Sequence, residues 1–192
     1  MRLALLLLFV GAAPRAQTPG VDGPAAPPTG VMLAAGPSAV VAGGFGDAWR
    51  PGAGLAARGE VSAYGGVARG AAVLLSFDAD DPVPPFTLAI VTAGWGVRAG
   101  VGPAEVVAGP SVGVVHVEFP DAVEASGAQT NETETVVGAF AGLRVPLTRH
   151  VLVWADAEAL RVALAPPRGL LTVGGGVALR FDVPAAVGRA LR

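Results

Sequence analysis

The chain has 192 residues, with 28 glycines, 15% charged residues and a mean hydropathy of +0.57: one domain of ordinary size, unusually apolar for a soluble protein. It has no cysteine, which excludes disulfides and thiolate metal sites, and no lysine. The net charge is −2, and about −4 without a leader holding Arg2 and Arg15, which argues against nucleic acid as a partner.

Met1–Ala16 has an arginine followed by an apolar run, Leu3–Ala13, and then small residues. The pattern predicts a secretory signal peptide over 1–16, cut after Ala13 or Ala16. No cysteine follows, so a lipoprotein anchor is excluded. Residues 17–37 open on QTPGVDGPAAPPTG and read as a Pro/Gly-rich leader. Beyond it, no run reaches the ~18 apolar residues that a membrane-spanning helix needs. The hydropathy must then come from a very apolar soluble core or from short strands that face lipid.

Segments of about ten residues rich in Val, Ala, Leu and Gly, separated by turn signals, predict eight strands. They fall at Ser38–Phe45, with an extension back to Val31 open, then Gly54–Ala63, Val67–Phe77, Phe86–Arg98, Glu105–Phe119, Glu134–Val145, His150–Leu164 and Leu170–Phe181. GDAWRPGAG, the Pro-rich DADDPVPP and the polar stretch Pro120–Thr133 read as loops. The seventh segment, VLVWADAEALRVAL, also contains good helix formers, so a helix there stays open. Connections after the second, fourth and sixth strands are short. The others are longer and more polar, as in outer-membrane barrels, whose short turns face the periplasm.

Strand parity adds a second signal. Val137, Ala139, Ala141, Leu143 and Val145 share one face, as do Val151, Val153, Ala155, Ala157 and Ala159. On the opposite parity lie Arg58, Glu60, Arg144, Asp156, Glu158 and Arg180. Three arginines and three acids balance, and the pattern predicts that they pair inside a closed sheet whose apolar face points outward. A soluble barrel needs the reverse facing. On the third strand Arg69 shares a face with Val73 and Leu75, which places it at the periplasmic rim of the outer face. The fifth strand mixes Val112 and Val114 with His116 and Glu118, which predicts a bulge near Gly109–Pro110. Trp49, Tyr64, Phe77, Phe86, Trp95, Phe119 and Phe181 lie near strand ends, where interfacial girdles form; Trp154 and Phe140 fall on the inner parity.

Catalytic chemistry is thinly represented. His116 shares a face with Glu118, but a hydrolase also needs a nucleophile, and the spacing of Ser76 and Ser111 supports neither. Asp78, Asp80 and Asp81 lack the ligand pattern of a dedicated calcium loop. Asn131-Glu132-Thr133 matches a glycosylation pattern by chance, and Gly174–Gly176 precedes no helix, so it is no phosphate loop. The expectation is no enzyme, no cofactor and no metal site.

The leader, the eight alternating segments, the loop asymmetry and the ending GGGVALRF resemble the small bacterial outer-membrane β-barrel family, the OmpA-transmembrane-domain, OmpX and OmpW-like group. The resemblance covers Ser38–Phe181. It implies an all-β, eight-stranded antiparallel up-and-down transmembrane barrel over 38–182 and a short periplasmic tail over 183–192. Val177, Leu179 and Phe181 match the family's closing assembly signal, although here eleven residues follow the phenylalanine. The implied protein is an exported, monomeric outer-membrane barrel with a packed lumen. It would act structurally or through extracellular loops, with outer-membrane lipid and the barrel-assembly machinery as partners. The alternatives are a small-ligand barrel of lipocalin type and an outer-membrane lipid-modifying enzyme. An apolar lumen with charges outside would favour the first, a Ser–His pair the second.

Overall fold

The computed structural model describes residues 30–43, 49–79, 83–120, 127, 130–162 and 168–184. The leader over 1–16 and most of the tail lie outside the described residues. Eight strands follow in order: β1 Gly30–Gly43, β2 Trp49–Ala63, β3 Gly66–Ala79, β4 Phe86–Val101, β5 Ala104–Glu118, β6 Glu132–Pro146, β7 Val151–Val162 and β8 Arg168–Asp182. Each pairs antiparallel with its neighbour, and β8 returns to β1 from Gly30↔Asp182 to Gly43↔Leu170. The result is a closed up-and-down barrel without a free edge.

Two boundaries correct the sequence reading. β1 starts at Gly30, so 30–37 belong to the barrel and not to a leader over 17–37. β2 starts at Trp49, inside the stretch read as a loop. Pro37, Pro51 and Gly52 look like breakers, and each is accommodated locally. Pro37 has no N–H to donate, and bridging between β1 and β8 lapses between Ala35↔Val177 and Ser38↔Gly174. The β2–β3 register shifts between Pro51 and Gly54. In contrast, β5 keeps one register with β6 from Glu105↔Arg144 to Val117↔Glu132, so the bulge expected at Gly109–Pro110 is absent. β7 is a strand despite its helix formers, because each alternate side chain has a place on one face of the sheet.

The short connections have the backbone their residues favour. Tyr64 and Gly65 both have positive φ, 50° and 73°, the requirement of a two-residue type I′ hairpin turn. Gly102 has φ 59° and is followed by Pro103, whose ring fixes the next φ. In the β6–β7 turn, Thr148 Oγ1 accepts from the backbone N–H groups of His150 (3.2 Å) and Val151 (3.0 Å). All three turns lie at the end where β1 begins and β8 finishes.

The outer face is apolar. Outward positions carry no charge across Leu33–Val41, Ala53–Val61, Ala68–Leu74, Ala89–Val101, Val106–Val114, Thr135–Val145, Val151–Ala159 and Leu171–Phe181. Outward charges begin only at the loop end, with the exposed Asp78, Glu118 and Arg161. The strands have 12–16 residues each, more than the ~9–11 tilted residues that cross a bilayer core. Tyr64, Trp95 and Phe181 are exposed at the short-turn end, where an interfacial girdle belongs. Trp49, Phe77, Phe86 and Phe119 instead gather at the loop-end mouth of the lumen.

Candidate functional site

Six charged residues form one network inside the barrel, and all are at most 5% exposed. Arg144 of β6 is its centre. Its guanidinium donates to both carboxylate oxygens of Glu60 on β2 and, through Nη1, to Asp156 Oδ1 on β7. Nη1 also reaches the carbonyls of Leu143 (3.1 Å) and Ala155 (3.4 Å). Arg58 Nε lies 2.9 Å from Asp156 Oδ2, and Arg69 Nη2 lies 3.1 Å from Glu158 Oε2. Three positive and three negative groups cancel, the condition for holding ions in so dry a place.

Five of the six residues expected in the lumen are in this network: Arg58, Glu60, Arg144, Asp156 and Glu158. Arg180 is not. It points inward but sits at the short-turn rim, 2.9 Å from Glu105, with Arg98 Nε at 3.5 Å from the same oxygen. Arg69 takes the sixth place, which corrects its expected position on the outer rim. On β3 the face shared by Val67, Arg69, Ala71, Val73, Leu75 and Phe77 is the inner one. Its apolar members mislead, because the loop half of the lumen is filled with Leu75, Leu88, Ile90, Val115, Val136 and Leu160.

Trp154 and Phe140, inward aromatics with no place in a girdle, serve the network. The Arg58 guanidinium lies over the Trp154 ring at 5.1 Å and that of Arg69 over Phe140 at 4.3 Å. Buried arginines are well matched to aromatic faces. Glycine is required beside them: a Cβ on Gly142 would overlap Asp156 Oδ1 and press on Arg144 Nη1. Gly142→Ala should therefore lower the fraction of barrel that refolds and shift its denaturant midpoint downward. An unchanged midpoint would show that the network is looser than its geometry.

The catalytic candidates are not brought together. Ser111 faces inward and His116 outward on the same strand; His116 Nδ1 is 2.8 Å from Thr133 Oγ1. Ser76 lies on the outer face of β3 and donates to the Ala53 carbonyl at 3.3 Å. His150 sits in a turn, its Nδ1 3.2 Å from the Arg180 carbonyl. Among the described residues no group of His, Cys, Asp or Glu could hold a metal; Asp80 and Asp81 lie outside them.

The two ends of the barrel differ in charge. Across the loop-end segments 44–50, 76–87, 118–134 and 161–169 the sequence holds nine acids and three arginines. A closed eight-stranded meander with an ionic core, an uncharged outer belt and one set of long connections is the architecture of the small outer-membrane-type barrels. Solved structures bear out that likeness at the level of fold. Ail of Yersinia pestis, in its complex with the heparin analogue sucrose octasulfate, matches at a TM-score of 0.57 and 14% identity over 80% of this chain and 99% of its own. Neisserial surface protein A matches at 0.53 and 14% identity over 80% and 97%. The outer membrane protein OprG of Pseudomonas aeruginosa matches at 0.51 and 8% identity over 81% and 97%. No protein-family model matches the chain, and no curated protein matches it in sequence.

Proposed function

We propose that this protein is a bacterial outer-membrane barrel with a packed lumen, monomeric in the membrane, that acts through the surface formed by its long connections. The observation that carries the reading is the facing of the strands. The charges over the middle of the barrel turn inward, and the outward belt is apolar on all eight strands, the inversion expected of a wall in lipid. The soluble ligand-binding alternative required the opposite facing. A lumen filled by an ionic network and stacked apolar side chains also leaves function to the ends.

The chain lacks cysteine, so single-cysteine variants report topology cleanly. Thr130→Cys lies before β6 and Leu147→Cys in the exposed β6–β7 turn. A membrane-impermeant maleimide on intact cells is expected to label the first and not the second. The reverse pattern would invert the orientation, and labelling of both in a soluble fraction would end the membrane reading.

The closing strand supplies a second expectation. Val177, Leu179 and Phe181 face outward and are 56%, 48% and 48% exposed, free for recognition by the barrel-assembly machinery. Phe181→Ala should reduce the amount of folded barrel in the outer membrane while leaving refolding of purified protein in detergent unchanged. Equal loss in both settings would assign Phe181 to stability alone.

The sulfated ligand of Ail is not carried over. Nine acids against three arginines on the loop segments would repel a polyanion, and that sign favours a cationic partner.

A further inference from the structure

At the short-turn end, three charged residues outside the buried network meet across the mouth of the lumen. Arg98 lies near the end of β4, Glu105 near the start of β5, and Arg180 comes from β8 on the far side of the ring. All three share the inward parity of their strands. Arg180 Nη2 donates to Glu105 Oε2 at 2.9 Å, so its side chain reaches across the opening. Arg98 Nε stands 3.5 Å from the same oxygen. Among the described residues that contact is the one ion pair of Arg98, and its Nε is buried without a hydrogen bond. The side chains of Arg98, Arg180 and Glu105 are 19%, 19% and 22% exposed, so solutes reach them from the mouth.

The charges at this mouth do not balance. In the buried network three arginines face three acids, and at the turns Arg149 pairs with Asp182. Here two guanidiniums share one carboxylate oxygen, which leaves one positive charge and several N–H groups without an acceptor among the described residues. The surroundings have the same sign. Segments 62–67, 98–105, 146–151 and 180–182 hold three arginines and two acids, and the flanking segments 17–29 and 183–192 add two arginines and one acid. The loop end has the opposite excess. Planar guanidinium forks match the paired oxygens of a carboxylate or phosphate, whereas a cation would be repelled. The mouth lies inside the ring of strands, and lipid headgroups pack outside that wall, so its ligand comes from water.

We infer that Arg98 and Arg180 form a seat for one oxyanion, a carboxylate or phosphate group presented from the aqueous phase at the short-turn mouth. Glu105 holds the two guanidiniums together and competes with the ligand for them. The inference goes beyond the loop-end reading. The compartment in which the anion is met depends on the orientation of the barrel; the binding itself does not, so the two fail separately.

The test is side-chain NMR of the full-length barrel, made with isotope-labelled arginine and held in a non-ionic detergent. Inorganic phosphate and acetate are titrated separately at constant ionic strength. The Nε signals of Arg98 and Arg180, assigned with Arg98→Lys and Arg180→Lys, are expected to shift saturably with each anion, and that of the exposed Arg149 is not. Arg98→Gln, read at Arg180, should weaken binding roughly tenfold. Glu105→Gln keeps an acceptor for the arginines and removes the competing charge, so it should tighten binding roughly tenfold, a gain that a merely structural trio would not give. Arg161→Gln, at the loop end, should leave binding unchanged. The heat-dependent shift on SDS electrophoresis verifies that each variant is folded. No saturable shift, an equal shift at Arg149 (an adventitious ion only), or weaker binding in Glu105→Gln would each overturn the proposal. Shifts at Arg98 and Arg180 when phosphatidylglycerol is added to phosphatidylcholine vesicles, with no phosphate present, would overturn the aqueous source. A reversed labelling pattern for Thr130→Cys and Leu147→Cys would overturn the loop-end reading and leave the binding result standing.

Discussion

Arg144→Leu is expected to destabilise the folded barrel by about 3–5 kcal/mol, the cost of leaving buried charges without their partner. Arg144 alone holds Glu60 and shares Asp156 with Arg58 and Arg69, so its removal strands one carboxylate entirely and weakens the hold on a second. The remaining groups would be two arginines facing three acids in a space from which water is largely excluded. Equilibrium unfolding in urea, with the barrel in lipid vesicles, reads the effect as a lower midpoint. A loss under about 1 kcal/mol, the size of an exposed ion pair, would mean that the lumen is wet enough to solvate the orphaned acids. The complementary variant sharpens the point. Replacing the six charged residues together by apolar residues of matched volume should cost far less than the single change, because a buried network contributes little beyond an apolar core of equal packing.

Val112→Arg is the second large effect. Val112 faces outward near the middle of β5 and is 54% exposed, opposite Ala93 and Val137 on the neighbouring strands. If the belt lies in lipid, a charge there costs about 2–4 kcal/mol, and an arginine near the interface costs about 0–1 kcal/mol. Thr133→Arg, at the loop end of the same outer face, is the shallow control. On a soluble barrel both positions are exposed surface, and each change would fall within about 0.5 kcal/mol of zero. The difference between the two variants therefore separates lipid from water as the medium around the barrel.

The strands and their facing were legible wherever period 2 runs unbroken. On β2, β6 and β7 the charged positions 58, 60, 144, 156 and 158 announce the inner face, and all five meet there. The reading failed where the inner face itself is apolar. On β3 the run Val73, Leu75, Phe77 looks like a lipid face, yet it packs the loop half of the lumen, and Arg69 goes inward with it. Parity along one strand does not say which side closes on the lumen; only pairing with β2 and β4 does. Arg180 failed for a different reason. Its parity is right, but its height is set by the stagger of β8 against β1, where it lies opposite Met32 near the short-turn end. The lost start of β1 comes from Gly36 and Pro37, which read as punctuation and are tolerated because Pro37 faces outward where bridging to β8 lapses. The aromatic cluster at the loop-end mouth of the lumen is legible only as single residues near strand ends, since its four rings come from four different chain segments.

The claim on which the rest depends is that this chain is a closed barrel in the outer membrane. The most direct measurement is SDS electrophoresis of separated inner- and outer-membrane fractions, heated and unheated. A band in the outer-membrane fraction whose mobility shifts on boiling is expected, because a hydrogen-bonded barrel without edges resists SDS until heat opens it. Recovery in the soluble periplasmic fraction with no shift would contradict it.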